Sequence, residues 1–312
     1  MDINDNIQTF IKNYKTIFNM LDKFDNNDFK IIKECEYFDL SKKESLRTLR
    51  THSHVFHLDE IAGLVILLMC NKIKNKNDDL PLVVRTRNEK IINDSGGICF
   101  DVSGKFDFNS DEKKNFGETN FTQFLDHHQK GFNLKWDKEH SSRLATFGLV
   151  LKNYGKEAFK DYLKSINEDL DFFDDNKINK MVNQLYTSGW GKVIDCIDNA
   201  DVKMYVYINE NGKEKRKEWV TDTSSLSYRI KNFYPNWEEE NQDWDSAFMK
   251  AYKLVKKEMI IEINKIIKKF KDKKLKRKIL LNSYNSRENF HESGKILFLD
   301  KFFPYLNILN KI

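Results

Sequence analysis

Four short clusters of histidine and aspartate lie between residues 52 and 198. Thr51–Glu60 reads THSHVFHLDE, Phe100–Gly104 reads FDVSG, Asp126–Gln129 reads DHHQ and Asp195–Asn199 reads DCIDN. Five of the seven histidines fall in the first and third clusters, so imidazole is concentrated where carboxylate is. Imidazole nitrogen with carboxylate oxygen suits hard or borderline divalent ions such as Mn²⁺ or Mg²⁺. Several carboxylates gathered in one place can hold two ions that clamp the attacking and leaving oxygens of a phosphate ester. The residues read as a two-metal phosphoesterase.

Each cluster follows an apolar run able to position it. Leu46–Thr51 precedes the first, Gly97–Phe100 the second and Phe121–Leu125 the third, while the fourth ends a helical stretch, Val182–Ile197. Ligands at the carboxyl ends of strands are where an open α/β sheet places its site. Ile61–Cys70 is almost wholly apolar and of helical length, with Asp59 and Glu60 at its start, where carboxylates suit the helix dipole. Strand and helix signals alternate through residue 130, the pattern of an α/β protein with a central, mostly parallel sheet. Residues 141–199 read as mainly helical, interrupted by the acidic loop Asn167–Asp175. Lys203–Val220 alternates around Asn211-Gly212, a β-hairpin signal. A long helix is expected from about Ser246.

The chain of 312 residues is long enough for one large or two modest domains, and three prolines and twelve glycines indicate no low-complexity linker. No apolar run reaches 18 residues and MDINDNIQTF lacks a basic leader, so no membrane partner is expected and a cytoplasmic location is. Cys35, Cys70, Cys99 and Cys196 are widely separated, with no Cys-x-x-Cys pair, and read as reduced thiols. Residues 4–24 place Ile7, Phe10, Ile11, Tyr14, Ile17, Phe18 and Leu21 at helical spacing. That amphipathic helix packs on its own domain or, as the second reading, mediates a homo-oligomer or partner-chain contact through residues 1–24.

The net charge of +5 hides an asymmetry. Residues 251–312 carry 16 Lys/Arg against 6 Asp/Glu, net +10, so residues 1–250 are net −5. Within Lys265–Lys278 nine basic residues face one acid, Asp272. The run is either a solvated helix face or an electrostatic funnel for single-stranded RNA or another oligonucleotide. Arg85, Arg87, Arg143 and Arg229 are the expected substrate-binding residues, because guanidinium forks match phosphate oxygens bidentately.

THSHVFHLDE, VVRTR (Val83–Arg87), FDVSG, DHHQ, SSRLATFGLVLKNYG (Ser141–Gly155), IDCIDN and SLSYRIKNFYPNWEEENQDWDSAFMKA (Ser225–Ala251) resemble, in order and spacing, the melanocyte-proliferating-gene (Myg-type) family. The resemblance runs from about residue 46 to about residue 305. It implies a DHH-type metal-dependent phosphoesterase acting as a 3′–5′ exoribonuclease on single-stranded RNA, with two divalent ions, Mn²⁺ first and Mg²⁺ second. It also implies a DHH-type catalytic domain over 46–200, after an N-terminal helical extension over 1–45. A smaller, incomplete α+β substrate domain would span 201–312. Position by position, His52, His57 and Asp59 match the first metal-binding motif, Asp101 the aspartate that bridges both ions and His127 the DHH ligand. Asp126 supports that ligand from the second shell, and His128 faces the scissile phosphate, so His128 and Asp101 carry the catalytic roles. The last metal carboxylate is Asp198 or Asp195, with Asp198 preferred because it sits where its helix ends.

The chain departs from the family at His54 and Ser103, and at Ala200, which stands where the family has a glycine. A counterpart to the family's glycine-rich terminal stretch is absent. That last departure keeps open a small-nucleotide or phosphoanhydride substrate, and a non-catalytic metal-binding subunit is the alternative from another class. Metal occupancy is expected to fall as pH drops through about 6.5, since a ligating imidazole must be neutral.

Overall fold

The computed structural model describes residues 28–41, 48–73, 80–106, 122–188, 190–200, 205–210, 213–219, 222–303 and 305. The amphipathic segment 4–24 lies outside the described residues. The apolar runs become short strands: β1 (Lys30–Ile32), β2 (Thr48–Thr51), β3 (Leu82–Arg85), β4 (Gly97–Phe100) and β5 (Thr122–Leu125). They pair in parallel in the order β1-β3-β2-β4-β5. The chain is therefore an α/β protein on a central parallel sheet. Residues 30–32 are too few to show a period, yet they form the edge strand beside β3.

Every residue of β2 and of β4 is buried, as a parallel sheet covered by helices requires. Arg50 on β2 is fully buried, and its guanidinium donates to the carbonyls of Ile91 at 2.6 Å, Asp94 at 2.7 Å and Gly96. A buried guanidinium needs such acceptors. Here they are the loose carbonyls of the loop entering β4, which Arg50 pins to the sheet. Gly97 opens β4 at φ +114°, and a Cβ there would stand 2.1 Å from the Thr48 carbonyl oxygen. Only glycine lets β4 approach β2 at this register.

The helices of this part are α1 (Glu34–Ser41), α2 (Leu58–Met69), α3 (Glu89–Ile92), α4 (Thr146–Ser165), α5 (Asp175–Thr187), α6 (Trp190–Asp198) and α7 (Leu226–Lys231). α2 buries residues 58–67 without interruption, which explains why its sequence is apolar all round, and it packs on α4 and α6. A second apolar cluster joins Tyr37 of α1 and Ile91 of α3 to Ile32 and Val84 of β1 and β3. The helical stretch expected over Val182–Ile197 is two helices. Ser188 caps α5 through its amide to the Gln184 carbonyl, and a second helix begins at Trp190. β6 (Tyr205–Glu210) and β7 (Lys213–Trp219) form an antiparallel pair.

Two compact units divide at Met259 and Ile260. α8 (Trp244–Asn285) gives residues 244–259 to the first and 260–285 to the second. In the second unit the Ser283 hydroxyl donates to the Phe298 carbonyl, and the Phe290 and Phe298 rings stack at 5.2 Å. Among the described residues no helix is long and apolar enough to cross a membrane.

Ala200, just past α6, sits at φ +56°, the left-handed region that penalises a Cβ. Ala200→Gly should relieve that strain, offset in part by the entropy glycine adds to the unfolded chain. We expect a net gain of roughly 0.5–1 kcal/mol in urea unfolding at unchanged m-value. A loss of stability would contradict it.

Candidate metal centre

The carboxyl ends of the three adjacent strands β2, β4 and β5 deliver the chemistry. His52 follows β2, Asp101 follows β4, and Asp126, His127 and His128 follow β5. Two helix termini complete the set. His57 is the N-cap of α2 with Asp59 and Glu60 in its first turn, and Asp198 is the last residue of α6.

Asp101 stands at the middle. Its Oδ2 is 3.3 Å from His52 Nε2, and its Oδ1 is 3.6 Å from His127 Nε2 and accepts the Thr146 hydroxyl at 2.9 Å. The residue holds φ +58°, strained for a side chain, and such outliers gather at functional sites. His127 Nε2 lies 3.0 Å from Asp198 Oδ2 and 4.0 Å from Asp59 Oδ2. It makes no aligned hydrogen bond to any of the three carboxylates around it. Asp59 is 1 % exposed, and neither of its oxygens has a hydrogen-bond partner. A buried carboxylate without a donor is costly, and a cation would remove the cost.

Three overlapping groups bring their ligand atoms within 4.8 Å of one another: His52 with His57 and Asp101, His57 with Asp59 and Asp198, and Asp101 with Asp126, His127 and His128. His57 and Asp101 each belong to two groups. The residues fit divalent cations on three counts: the orphaned Asp59 oxygens, the unaligned His127 nitrogen and a donor set of imidazole and carboxylate.

The supporting contacts are already in place. Glu60 accepts the His57 amide at 3.0 Å and the Thr51 hydroxyl at 2.6 Å, with its Oε1 3.1 Å from His52 Nε2. Asp126 accepts the Gly104 amide at 2.6 Å and the amide and Nδ1 of His128 at 3.0 and 2.7 Å. Glu60 and Thr146 were not singled out from sequence. The reciprocal spacing of His57 and Glu60 across a helix start carried a signal for the first; Thr146 carried none.

Charge follows geometry. Burial alone would lower the His52 imidazole, but the Glu60 charge, then Asp101, outweigh it and hold it at about 10. Burial likewise opposes His127, and Asp101 and Asp198 raise it to about 10. Burial pushes Asp59 well above the carboxylate range, and the charges of Asp101 and Asp198 push it further. Asp101 is held far below its usual value despite burial, because His127 and His52 face it. Without cations, protons neutralise this cluster.

A cation must therefore displace protons, and the sign is fixed. Below a histidine's folded value each unit of pH favours the ligating form about tenfold. With both rings near 10, log affinity for Mn²⁺ should rise at a slope of about one to two from pH 6 to 8. This moves the window above the 6.5 expected from ordinary histidines. Titration calorimetry across that range measures it, and a plateau above pH 7 would refute it.

Other sequence-predicted residues fall elsewhere. Asp195 points away from the cluster: its carboxylate accepts the Tyr186 hydroxyl at 2.9 Å and the Gly148 amide at 3.1 Å. Burial pushes it up to about 7 against those bonds. A Cβ on Gly148 would lie 2.2 Å from Asp195 Oδ2, so glycine is what admits this carboxylate under α4. Arg85, expected at the substrate, is occupied by protein partners. It is buried, donating to the carbonyls of His54 at 2.6 Å and Trp244 at 3.0 Å and to Asp245 at 3.1 Å, with its guanidinium 4.4 Å from the Phe248 ring centre. Arg229 pairs with Glu258 at 2.5 Å. Arg143 is exposed before α4, its carbonyl accepting from Asn199. Arg87 does face the cluster, on a lobe of about 250 Å³ shared with His52, Asp101, Asp126 and His128. His54 is exposed at φ +67°, outside the three groups.

Residues 48–312 match the MYG1 exonuclease family model, described as an uncharacterised protein family (UPF0160). The chain is 28% identical over 264 residues to a MYG1 protein of Dictyostelium discoideum, covering 83% of this chain and 68% of that one. It is 25% identical over 260 residues to a MYG1 protein of Saccharomyces cerevisiae, covering 82% and 67%. It is also 26% identical over 220 residues to the MYG1 exonuclease of Mus musculus, covering 69% and 49%. The chain thus spans about half the length of that mammalian relative. No solved structure matches it.

Proposed function

The chain belongs to the MYG1 exonuclease family, and from that premise we propose that it is a metal-dependent phosphodiester hydrolase of DHH type, a 3′–5′ exoribonuclease on single-stranded RNA. The observation that carries the reading is Asp101: a strained, buried carboxylate shared between His52 and His127 beside an orphaned Asp59. Relatives named exonucleases support the reaction class. The basic face of α8 supports a polyanionic substrate, with Lys265, Lys268, Lys269, Lys273, Arg277 and Lys278 all exposed.

Two divalent ions, Mn²⁺ first, would be held by His52, His57, Asp59, Asp101, His127 and Asp198. When bound, they supply Lewis-acid stabilisation of phosphoryl charge and a nucleophile at neutral pH. The remaining work falls to this chain's own side chains. Asp101 holds His52 and His127 in register, and Thr146 holds Asp101. His128 is more than half exposed on the Arg87 lobe, and its Asp126 bond raises it above an ordinary histidine. That shift favours the ring proton it would donate to a leaving oxygen. Arg87 offers its fork to a phosphate there.

The test incubates the protein and Mn²⁺ with labelled single-stranded RNA, DNA and short nucleotides. We expect mononucleotide release from the 3′ end of RNA. Replacing Lys268, Lys269, Lys273 and Lys276 with Gln should flatten the salt dependence of RNA binding by about 0.7 on a log–log plot for each phosphate no longer neutralised. Exclusive turnover of dinucleotides with an unchanged salt slope would replace the reading with a small-nucleotide hydrolase. The modest size of the cleft lobes favours that second reading.

A further inference from the structure

Beside the metal centre, on the side lined by Asp59 and Asp198, lies a lobe of about 200 Å³ to which no substrate role has yet been given. We propose that it is a subsite for a second phosphate, adjacent to the scissile one, gripped by Lys231 and Ser227 of α7. The proposal rests on the phosphoesterase reading above and adds to it which flank of the substrate the chain recognises.

Two lobes border the cluster and share one residue, His57. The Arg87 lobe carries the donors Arg87 and His128. The other is lined by the ligand candidates His57, Asp59 and Asp198 and by Ser227 and Lys231 of α7. Those two are four residues apart on one helix and so point to the same side. Apolar side chains, Ile194 and Ile230 among them, complete the lining. An ammonium with three donors and a hydroxyl suits phosphate oxygens. Apolar side chains in the same lobe suit the sugar that separates two phosphates in a nucleotide chain.

Lys231 has the charge to spare for this role. It is exposed, and among the described residues no carboxylate lies within 4 Å of its ammonium. Its neighbour Arg229 is committed to Glu258, which explains why the basic residue serving this lobe is not the arginine expected from sequence. Were Lys231 only a counter-charge for the acidic cluster, a direct pair with Asp198 or Asp59 would be the simplest arrangement, and none is made.

The test separates binding from turnover. A phosphorothioate-linked dinucleotide is titrated into the Mn²⁺-loaded protein in three forms: unphosphorylated, 5′-phosphorylated and 3′-phosphorylated. Wild type should bind one phosphorylated form about tenfold more tightly than the unphosphorylated one, the gain of one charge-assisted contact. Lys231→Gln should erase that preference while leaving the unphosphorylated affinity alone, Ser227→Ala should reduce it, and Lys231→Arg should retain it. With the hydrolysable form of the preferred phosphorylated dinucleotide, Lys231→Gln should raise KM and leave kcat within about twofold, the mark of uniform binding. An equal loss for all three forms would overturn the subsite and make Lys231 an electrostatic support for the cations. An unchanged preference would overturn it outright. Both are read from binding alone, so a protein that hydrolyses nothing refutes the function and still decides the subsite.

Discussion

Replacing Asp101 with Asn should lower Mn²⁺-dependent phosphodiester hydrolysis by about a thousandfold or more while leaving the chain folded. The size follows from position. Asp101 faces His52 on one oxygen and His127 on the other, so its charge serves both sides of the cluster at once. Asparagine is the fair substitution because it tolerates the left-handed backbone at φ +58° and can still accept from Thr146. Circular dichroism should match wild type, and cation stoichiometry should fall. Activity within about tenfold of wild type at saturating Mn²⁺ would end the metal assignment.

The second large effect separates two aspartates that lie one helical turn apart. Asp195→Ala should cost roughly 2–4 kcal/mol, since it leaves the buried Tyr186 hydroxyl and Gly148 amide without an acceptor. The cations bound per folded chain should not change. Asp198→Ala should do the reverse. It takes nothing from the core; it relieves repulsion on Asp59 but loses the 3.0 Å pair with His127, so stability without cations should change by less than Asp195→Ala costs. Cation affinity should drop by more than the 10–100-fold typical of an outer-shell partner. Urea melts with and without Mn²⁺ read both quantities. Matching profiles for the two variants would mean that Asp195 and Asp198 share a role.

The parallel α/β sheet was legible because each ligand cluster follows an apolar run and a parallel sheet places ligands at its strand ends. His52, His57, Asp59, Asp101, His127 and Asp198 were named from their types, spacing and family resemblance, and the structure brings all six together. The arginines show where such reasoning stops. Arg85 and Arg87 both read as substrate-binding, but one ends β3 bonded to Trp244 and Asp245 while the other clears the strand and meets the cleft. Which of them is solvated depends on a helix that begins 159 residues after Arg85, a separation that no local period can report. Asp195 and Asp198 were ambiguous for a related reason. Both lie on one helix, but Asp195 meets Gly148 of α4 and Tyr186 of α5 while Asp198, at the helix end, meets His127. Lys231 was hidden by composition, one lysine among many.

The order of the strands also bears on how the molecule comes together. Within the five-stranded sheet only β2 with β3 and β4 with β5 pair as chain neighbours, while β1 must find β3 and β2 must find β4. The six cluster residues are likewise spread from His52 to Asp198. Each ligand group needs Asp101 or Asp198, so long chain segments must be closed before it is complete, and such topologies fold slowly. A cation therefore has no site until the sheet is nearly complete. It can do little to hasten that assembly, and acts afterwards as a clasp that slows its reversal.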